Sequence, residues 1–423
     1  MTALSPLIFF IFTYLATSIV AGDFYKVPLT VVFMLTAFFA IATSKGRIDH
    51  RIKVFSKGAS KKNLMLMIWI FIMAGAFAQS AKEMGSVEAF VNLTLCIVPS
   101  DCLLAGIFIA SSLISLSVGT SVGTIVALTP IAVGLAHATG QSTPMLTAVV
   151  VGGSFFGDNM SFISDTTVVA TQTQGCSMKD KFNTNIHIAL PAALFVILIY
   201  ALLGAGNTPK ATFQSSDILK IVPYIAVLVT ATIGIDVFLV LCLGILLTGI
   251  VGMAEESYDL FTWFEAMGNG ISGMGELIVV SLLAGGILEI IHANGGIRYI
   301  VNKMLRTVKG SRRAEMAIAA MVSFVDMCTA NNTIAIITVS GLAKEITKRF
   351  NLDNRRVASI LDTFSCIMQG LIPYGAQLLM AAALSNCNPI NIIPYMYYTY
   401  ALAFASIMAI IFRYPRLKTR TKS

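Results

Sequence analysis

The chain alternates long apolar stretches with short polar breaks. Its hydropathy predicts membrane spans near 4–21, 26–43, 64–80, 102–118, 122–139, 145–156, 185–205, 217–233, 235–253, 276–292, 313–328, 333–347, 357–371 and 391–412. A full crossing needs about 20 residues, and several of these stretches are shorter. The sharpest break is Gly157-Asp158-Asn159-Met160-Ser161-Phe162-Ile163-Ser164-Asp165-Thr166-Thr167, with two carboxylates seven residues apart between apolar segments. An ionisable residue at membrane depth costs about 2.5–3.5 kcal/mol even on the lenient insertion scale, so it marks a functional site by default. Five hydroxyl or amide side chains accompany the two aspartates. The pattern is that of a place where a small hydrophilic solute crosses.

The two halves match at an offset of about 210 residues, the spacing of an internal structural repeat. Thr124–Thr129 aligns with Thr333–Thr338, and the Asp158–Thr167 stretch falls opposite Met368–Gln377. Apolar helices resemble one another by chance, so the loop charges carry more weight. Loop 44–63 holds seven basic residues, whereas its counterpart 254–273 holds none and contains Glu255, Glu256, Asp259 and Glu265. Segment 303–313 carries Lys303, Arg306, Lys309, Arg312 and Arg313, and its counterpart 93–103 only Asp101. Loop 344–356 is basic, and 134–146 has no Lys or Arg. Positive charge stays on the cytoplasmic side, so equivalent loops are expected on opposite faces. That predicts a first repeat over 1–210 and a second, inverted repeat over 211–423, together one transport unit, with both termini cytoplasmic.

Composition agrees. The chain has 423 residues, is 56% hydrophobic and only 12% charged, and its mean hydropathy is +0.81. A soluble domain carries about 25% charged residues, so a polytopic all-α membrane protein is expected. The net charge of +8 sits in short loops and at the C-terminus, which is no nucleic-acid footprint. The seven cysteines are scattered and the four histidines isolated, which predicts neither a disulfide framework nor a resident metal or cofactor. Leu4–Val20 has no basic flank before it and reads as a retained first helix.

Four interrupted segments carry the chemistry: Gly119–Thr124 and Gly157–Thr167 in the first half, Thr329–Thr333 and Gln369–Gln377 in the second. Irregular backbone at membrane depth is tolerated only where it is buried in protein or lines a wet cavity. Freed carbonyls and helix C-termini suit cations, and helix N-termini suit anions. A hard monovalent ion prefers oxygen ligands. Candidate ion- or substrate-binding residues are Asp158, Asn159, Ser161, Ser164, Asp165 and Thr166, with Thr120, Ser121 and Thr124 beside them. Asn331, Asn332, Thr333, Asp362, Gln369 and Gln377 come from the second half. Asp158 and Asp165 are the expected transient Na⁺ ligands, since no Lys or Arg follows them until Lys179. The plainer readings are close packing for the small hydroxyls, helix capping for Asn331 and Asn332, and structural ion pairs for Asp326 and Asp362.

The stretch Phe156–Thr167 resembles the signature of the NhaC-type Na⁺/H⁺ antiporter family, approximately F-G-D-K-x-S-P-x-S-D-T-T. The resemblance continues through Gly119–Thr124 and Gly370-Leu371-Ile372-Pro373-Tyr374-Gly375. Asn159 stands where that pattern has lysine, and Phe162 where it has proline. The resemblance implies exchange of Na⁺ for H⁺, in some members coupled to organic acids, on a two-repeat fold with interrupted helices and re-entrant hairpins. It assigns binding first to Asp158, Ser161, Ser164, Asp165 and Thr166.

The expectation is therefore a non-enzymatic secondary antiporter of a bacterial inner membrane, exchanging Na⁺ (or Li⁺) for H⁺ at a midplane site. Its surroundings are the lipid bilayer, and it leaves a homodimer open. The alternative is a Na⁺- or H⁺-coupled carrier of a small organic anion or amino acid. An intramembrane aspartyl hydrolase built on Asp158 and Asp362 would need neither an internal repeat nor a hydroxyl cluster around one aspartate.

Overall fold

A computed structural model describes residues 5–21, 28–99, 102–162, 164–204, 217–233, 235–296 and 310–415. The described chain is helical throughout: α1 Ser5–Ala21, α2 Leu29–Thr43, α3 Ile48–Ala59, α4 Lys62–Glu83, α5 Ser86–Ile97, α6 Leu103–Val118, α7 Ser121–Thr139, α8 Thr143–Met160, α9 Asp165–Gln174 and α10 Met178–Leu203. There follow α11 Asp217–Thr232, α12 Val237–Ala254, α13 Leu260–Gly273, α14 Gly275–Ala293, α15 Ser311–Thr329, α16 Asn332–Phe350, α17 Asn354–Gln369, α18 Ala376–Ser385, α19 Pro389–Ile392 and α20 Tyr397–Phe412. Six stretches among them are long and apolar enough to cross a bilayer, so this is a multi-pass membrane protein. Pro130, Pro191 and Pro223 lie inside α7, α10 and α11, where neighbouring helices can satisfy the freed carbonyls.

Hydropathy marks fourteen stretches where six among the described residues are long and apolar enough to cross, and it misses α3, α5 and α13. Loop 44–63 contains α3, and 254–273 contains α13. α3 has one apolar face and one polar face, so its average hydropathy is low while its packing is specific. Phe55 of α3 lies on Gly286 of α14, and Gly58 of α3 meets Gly285 so closely that a Cβ on Gly58 would stand 2.3 Å from the Gly285 carbonyl. Gly75 of α4 and Gly270 of α13 meet in the same way, at 2.4 and 2.1 Å. The first helix pairs are thus crossed between halves: α3 packs on α14, and α4 on α13. The expected single span at 391–412 is broken instead, with a 56° bend between 389–395 and Tyr397–Phe412.

The centre of the molecule is α8, whose residues are buried almost continuously from Leu146 to Met160. It packs against α6, α7, α10 and α20. Close approach to α6 needs glycine: a Cβ on Gly153 would lie 2.1 Å from Ser111 Oγ, and one on Gly157 2.4 Å from Ser115 Cβ. Ser115 donates to the Ser154 carbonyl at 2.6 Å across the same contact. This packing sets the depth and direction of Asp158, one residue beyond Gly157.

Candidate functional site

The four interruptions expected from sequence are real, and each ends one helix and begins another. α6 stops at Gly119 in a left-handed cap (φ 73°), Thr120 is extended, and α7 starts. α15 stops at Ala330 in the same conformation (φ 47°), Asn331 is extended, and α16 starts. A left-handed residue bearing a Cβ is uncommon, so the turn is imposed by the surrounding helices. The α8–α9 break spans Ser161–Ser164, and the α17–α18 break spans Gly370–Gly375. The second pair packs across the halves, α9 on α16 and α17, α18 on α7 and α8.

The breaks converge on one cavity of about 840 Å³. Thr120, Ser121, Asp158, Ser164, Asp165, Thr166, Asn331, Asn332, Thr333, Gln369 and Gln377 all line it. The first turns of α7, α9, α16 and α18 therefore border the same space, as do the last turns of α8 and α17. The Asp158 carboxylate lines it and is 4% exposed. Ser121 Oγ donates to Asp158 Oδ2 at 3.0 Å, and Gln377 Nε2 donates to Ser121 Oγ at 3.1 Å. Ser164 Oγ donates to Asp158 Oδ1, and the Ser164 and Thr166 hydroxyls lie 2.8 Å apart. Gln369 Nε2 donates to the Ala330 carbonyl at 3.0 Å, joining two breaks. Carboxylate, hydroxyl and amide oxygens on the wall of one cavity are the donor set of a hard cation.

The two aspartates are not equivalent. Asp165 lies on the cavity wall but is exposed, in the first turn of α9, where the helix dipole favours a carboxylate. Several other expected residues make hydrogen bonds within the helix framework. Thr124 Oγ1 donates to the Thr120 carbonyl at 3.2 Å, and Ser161 Oγ to the Leu116 carbonyl at 3.2 Å. Asn159 is fully buried and does not line the cavity. Asn331 caps α16, accepting from Ile334 N at 3.0 Å, so capping is one of its roles. Asn332 Oδ1 accepts from Thr333 N at 3.1 Å.

Asp362 also stands apart from the cavity. Its Oδ2 is 2.7 Å from Lys181 Nζ, both groups being essentially inaccessible. A base does reach the aspartate break, contrary to the expectation from sequence: Lys181, two residues past Lys179, returns from the first turn of α10. Asp326 carries no ion pair; both its oxygens are buried without a hydrogen-bond partner among the described residues. Asp236 and Trp69 line the cavity and were not expected from sequence. Asp236 gives no sign of itself in the sequence beyond preceding an apolar run, where it caps α12 by accepting from Phe238 N at 2.9 Å.

A second cavity of about 900 Å³ is lined by Gln79, Lys82, Glu88, His137, Asn269 and Ser385. The Asp158 cavity touches α4 at Leu66–Ile70, α7 at Ser121 and α18 at Gln377, whereas the second touches α4 at Gly75–Lys82, α7 at Pro130–His137 and α18 at Ala383–Ser385. The two lie at opposite ends of the same three helices.

Interrupted helices meeting around a buried carboxylate, inside a multi-pass helical protein, define a membrane protein built to pass a hydrophilic solute. The chain belongs to the Na⁺/H⁺ antiporter family, whose profile matches residues 4–205 and 211–415. That family consists of transporters. The chain is 22% identical over 382 residues to the Na(+)/H(+) antiporter NhaC of Bacillus subtilis, covering 82% of this chain and 83% of that protein. It is 19% identical over 380 residues to the malate-2H(+)/Na(+)-lactate antiporter of the same organism, covering 82% and 80%. It is 21% identical over 336 residues to the arginine/ornithine antiporter ArcD of Halobacterium salinarum, covering 71% and 68%.

Proposed function

We propose that the protein exchanges Na⁺ (or Li⁺) for H⁺ through the Asp158 cavity. The observation that carries this is a buried carboxylate whose two oxygens accept from Ser121 and Ser164, hydroxyls at the starts of two different helices that line the same cavity. A carboxylate held by neutral donors is neutralised by a proton or by a cation, not by both, and that exclusion couples the two fluxes. Hydroxyls suit both states, since each can turn its proton away and offer oxygen instead. Reconstituted protein should move protons against an imposed Na⁺ gradient; absence of Na⁺- and Li⁺-dependent proton flux overturns the reading.

The two halves act, in this reading, as inverted repeats around that site. The crossed packing of α3 on α14 and α4 on α13 and the loop-charge asymmetry support it. The basic α3 and the end of α16 then face the cytoplasm, together with both termini. The Asp158 cavity opens on that side and the second cavity on the other, leaving α4, α7 and α18 as the barrier between them. In a cysteine-free background, Lys57→Cys and Arg349→Cys should be protected from an impermeant thiol reagent added outside, whereas Ser142→Cys and Ala254→Cys should react. Equal labelling of all four removes the inverted arrangement.

A second reading has an observation of its own. The cavity is far larger than one cation needs, and the N-terminal turns of α7, α9, α16 and α18, the positive ends of four helix dipoles, border it. A small carboxylate seated there beside a cation at Asp158 makes this a coupled organic-acid or amino-acid carrier, as the names of two relatives suggest for those proteins. Counterflow of labelled organic acids and amino acids in Na⁺-loaded vesicles separates the two readings.

A further inference from the structure

Lys181 is 1% exposed, deep beside the site yet outside its cavity. Its ammonium has three protons and uses all of them on oxygen: the Asn159 carbonyl at 2.6 Å, Thr167 Oγ1 at 2.6 Å and Asp362 Oδ2 at 2.7 Å. Asn159 is the residue after Asp158, in the last turn of α8. Thr167 is the residue after Thr166, in the first turn of α9. The ammonium therefore grips both sides of the break that carries the site and ties it to α17. Asn185 braces the same oxygens, donating to the Asn159 carbonyl at 3.0 Å and to Asp362 at 3.2 Å, and accepts from Ser359.

We propose that the Lys181 ammonium is a tethered cation filling a second oxygen cage, and that this cage sets the width of the α8–α9 break and hence the cation affinity of Asp158. A carboxylate, a backbone carbonyl and a hydroxyl form the donor set of a free monovalent cation, here occupied by a cation that cannot leave. Asp362 is the cage's permanent counter-charge, which explains its burial away from the cavity. Lys181 is a positioning residue. The inference rests on the reading of Asp158 as the exchange site.

The test is equilibrium Na⁺ binding in detergent, where ammonium cannot collapse a pH gradient. The reporter is Trp69 on the cavity wall, in a Trp263→Phe background, which leaves Trp69 the only tryptophan of the chain. Lys181→Ala should raise half-saturating Na⁺ about 10- to 100-fold, the usual loss when an outer partner of a metal ligand is removed. Added ammonium should restore part of that affinity by entering the emptied cage. Thr167→Val, which keeps shape and removes one grip, should raise it several-fold and show no rescue. If Lys181→Ala does not fold, Lys181→Met with Asp362→Asn removes the buried pair together and should show the same weakening. Wild-type half-saturation in folded Thr167→Val and in either lysine variant overturns the cage. Normal Na⁺ binding by Asp158→Asn instead overturns the underlying site, which keeps the two failures apart.

Discussion

Gln377 and Ser121, 256 positions apart in sequence, are joined by one hydrogen bond of 3.1 Å, and Ser121 passes it on to Asp158. The second half of the chain thereby orients a hydroxyl of the first half onto the central carboxylate. Gln377→Ala should free the Ser121 hydroxyl to turn. One net hydrogen bond is worth about 1 kcal/mol, so half-saturating Na⁺ should rise about fivefold with little change in maximal rate. Flux measured over a range of Na⁺ concentrations checks this.

Asp158 and Asp165 should part company under the same substitution. Asp158→Asn keeps the size and loses the charge, and it should abolish Na⁺-dependent proton movement at normal protein level. Asp165 is exposed at the start of α9, so Asp165→Asn should retain exchange, with weaker cation attraction at low salt that fades as salt is raised. Equal loss in both variants makes Asp165 a second ligand.

The glycine contacts between halves predict a graded stability series. Gly270→Val drives a side chain into the Gly75 carbonyl, 2.1 Å from the ideal Cβ position, and should cost about 1–3 kcal/mol or more. Gly268, two residues earlier on the same helix, has nothing within 4 Å of its Cβ position. Gly268→Ala should be neutral or stabilising by up to about 1 kcal/mol, from helix propensity alone. Thermal unfolding in detergent distinguishes them.

A buried ion pair holds α15 to α17. Arg356 Nε and Nη2 each donate to the Glu315 carboxylate at 2.9 Å, and the same guanidinium reaches the Ala409 and Pro415 carbonyls at 3.2 Å. Glu315→Gln or Arg356→Met alone leaves a charge buried without its partner, a loss of about 3–5 kcal/mol. The double variant should be substantially more stable than either single one. Unfolding midpoints of the three variants read this directly.

Much of the site was legible because unfavourable chemistry is conspicuous in an apolar chain. Asp158, Ser164, Asn332 and Gln377 could be picked out by their type and by the glycines around them, without knowing what they touch. Asp362 was picked out by the same rule and turned out to serve Lys181, since a rule based on polarity cannot distinguish a carboxylate facing a cavity from one facing a lysine. Lys181 is not conspicuous in the sequence, because it lies in a polar helix start, Met178-Lys179-Asp180-Lys181, where lysine is ordinary.

The sequence alone determined that the chain is built from apolar helices, the four breaks between them and the contrast of loop charges. Each of these depends on the transfer of local segments between water and lipid, which neighbours in the chain suffice to decide. Only the tertiary structure decided which carboxylate is buried, which base neutralises which acid, and that α3 and α13 are helices packed through glycine. Those outcomes depend on distances between residues far apart in the chain, and on α10 turning back to bring a lysine within 2.7 Å of an aspartate on α17. Electrostatic and packing energies change over such distances, and the linear pattern of polarity carries no record of them.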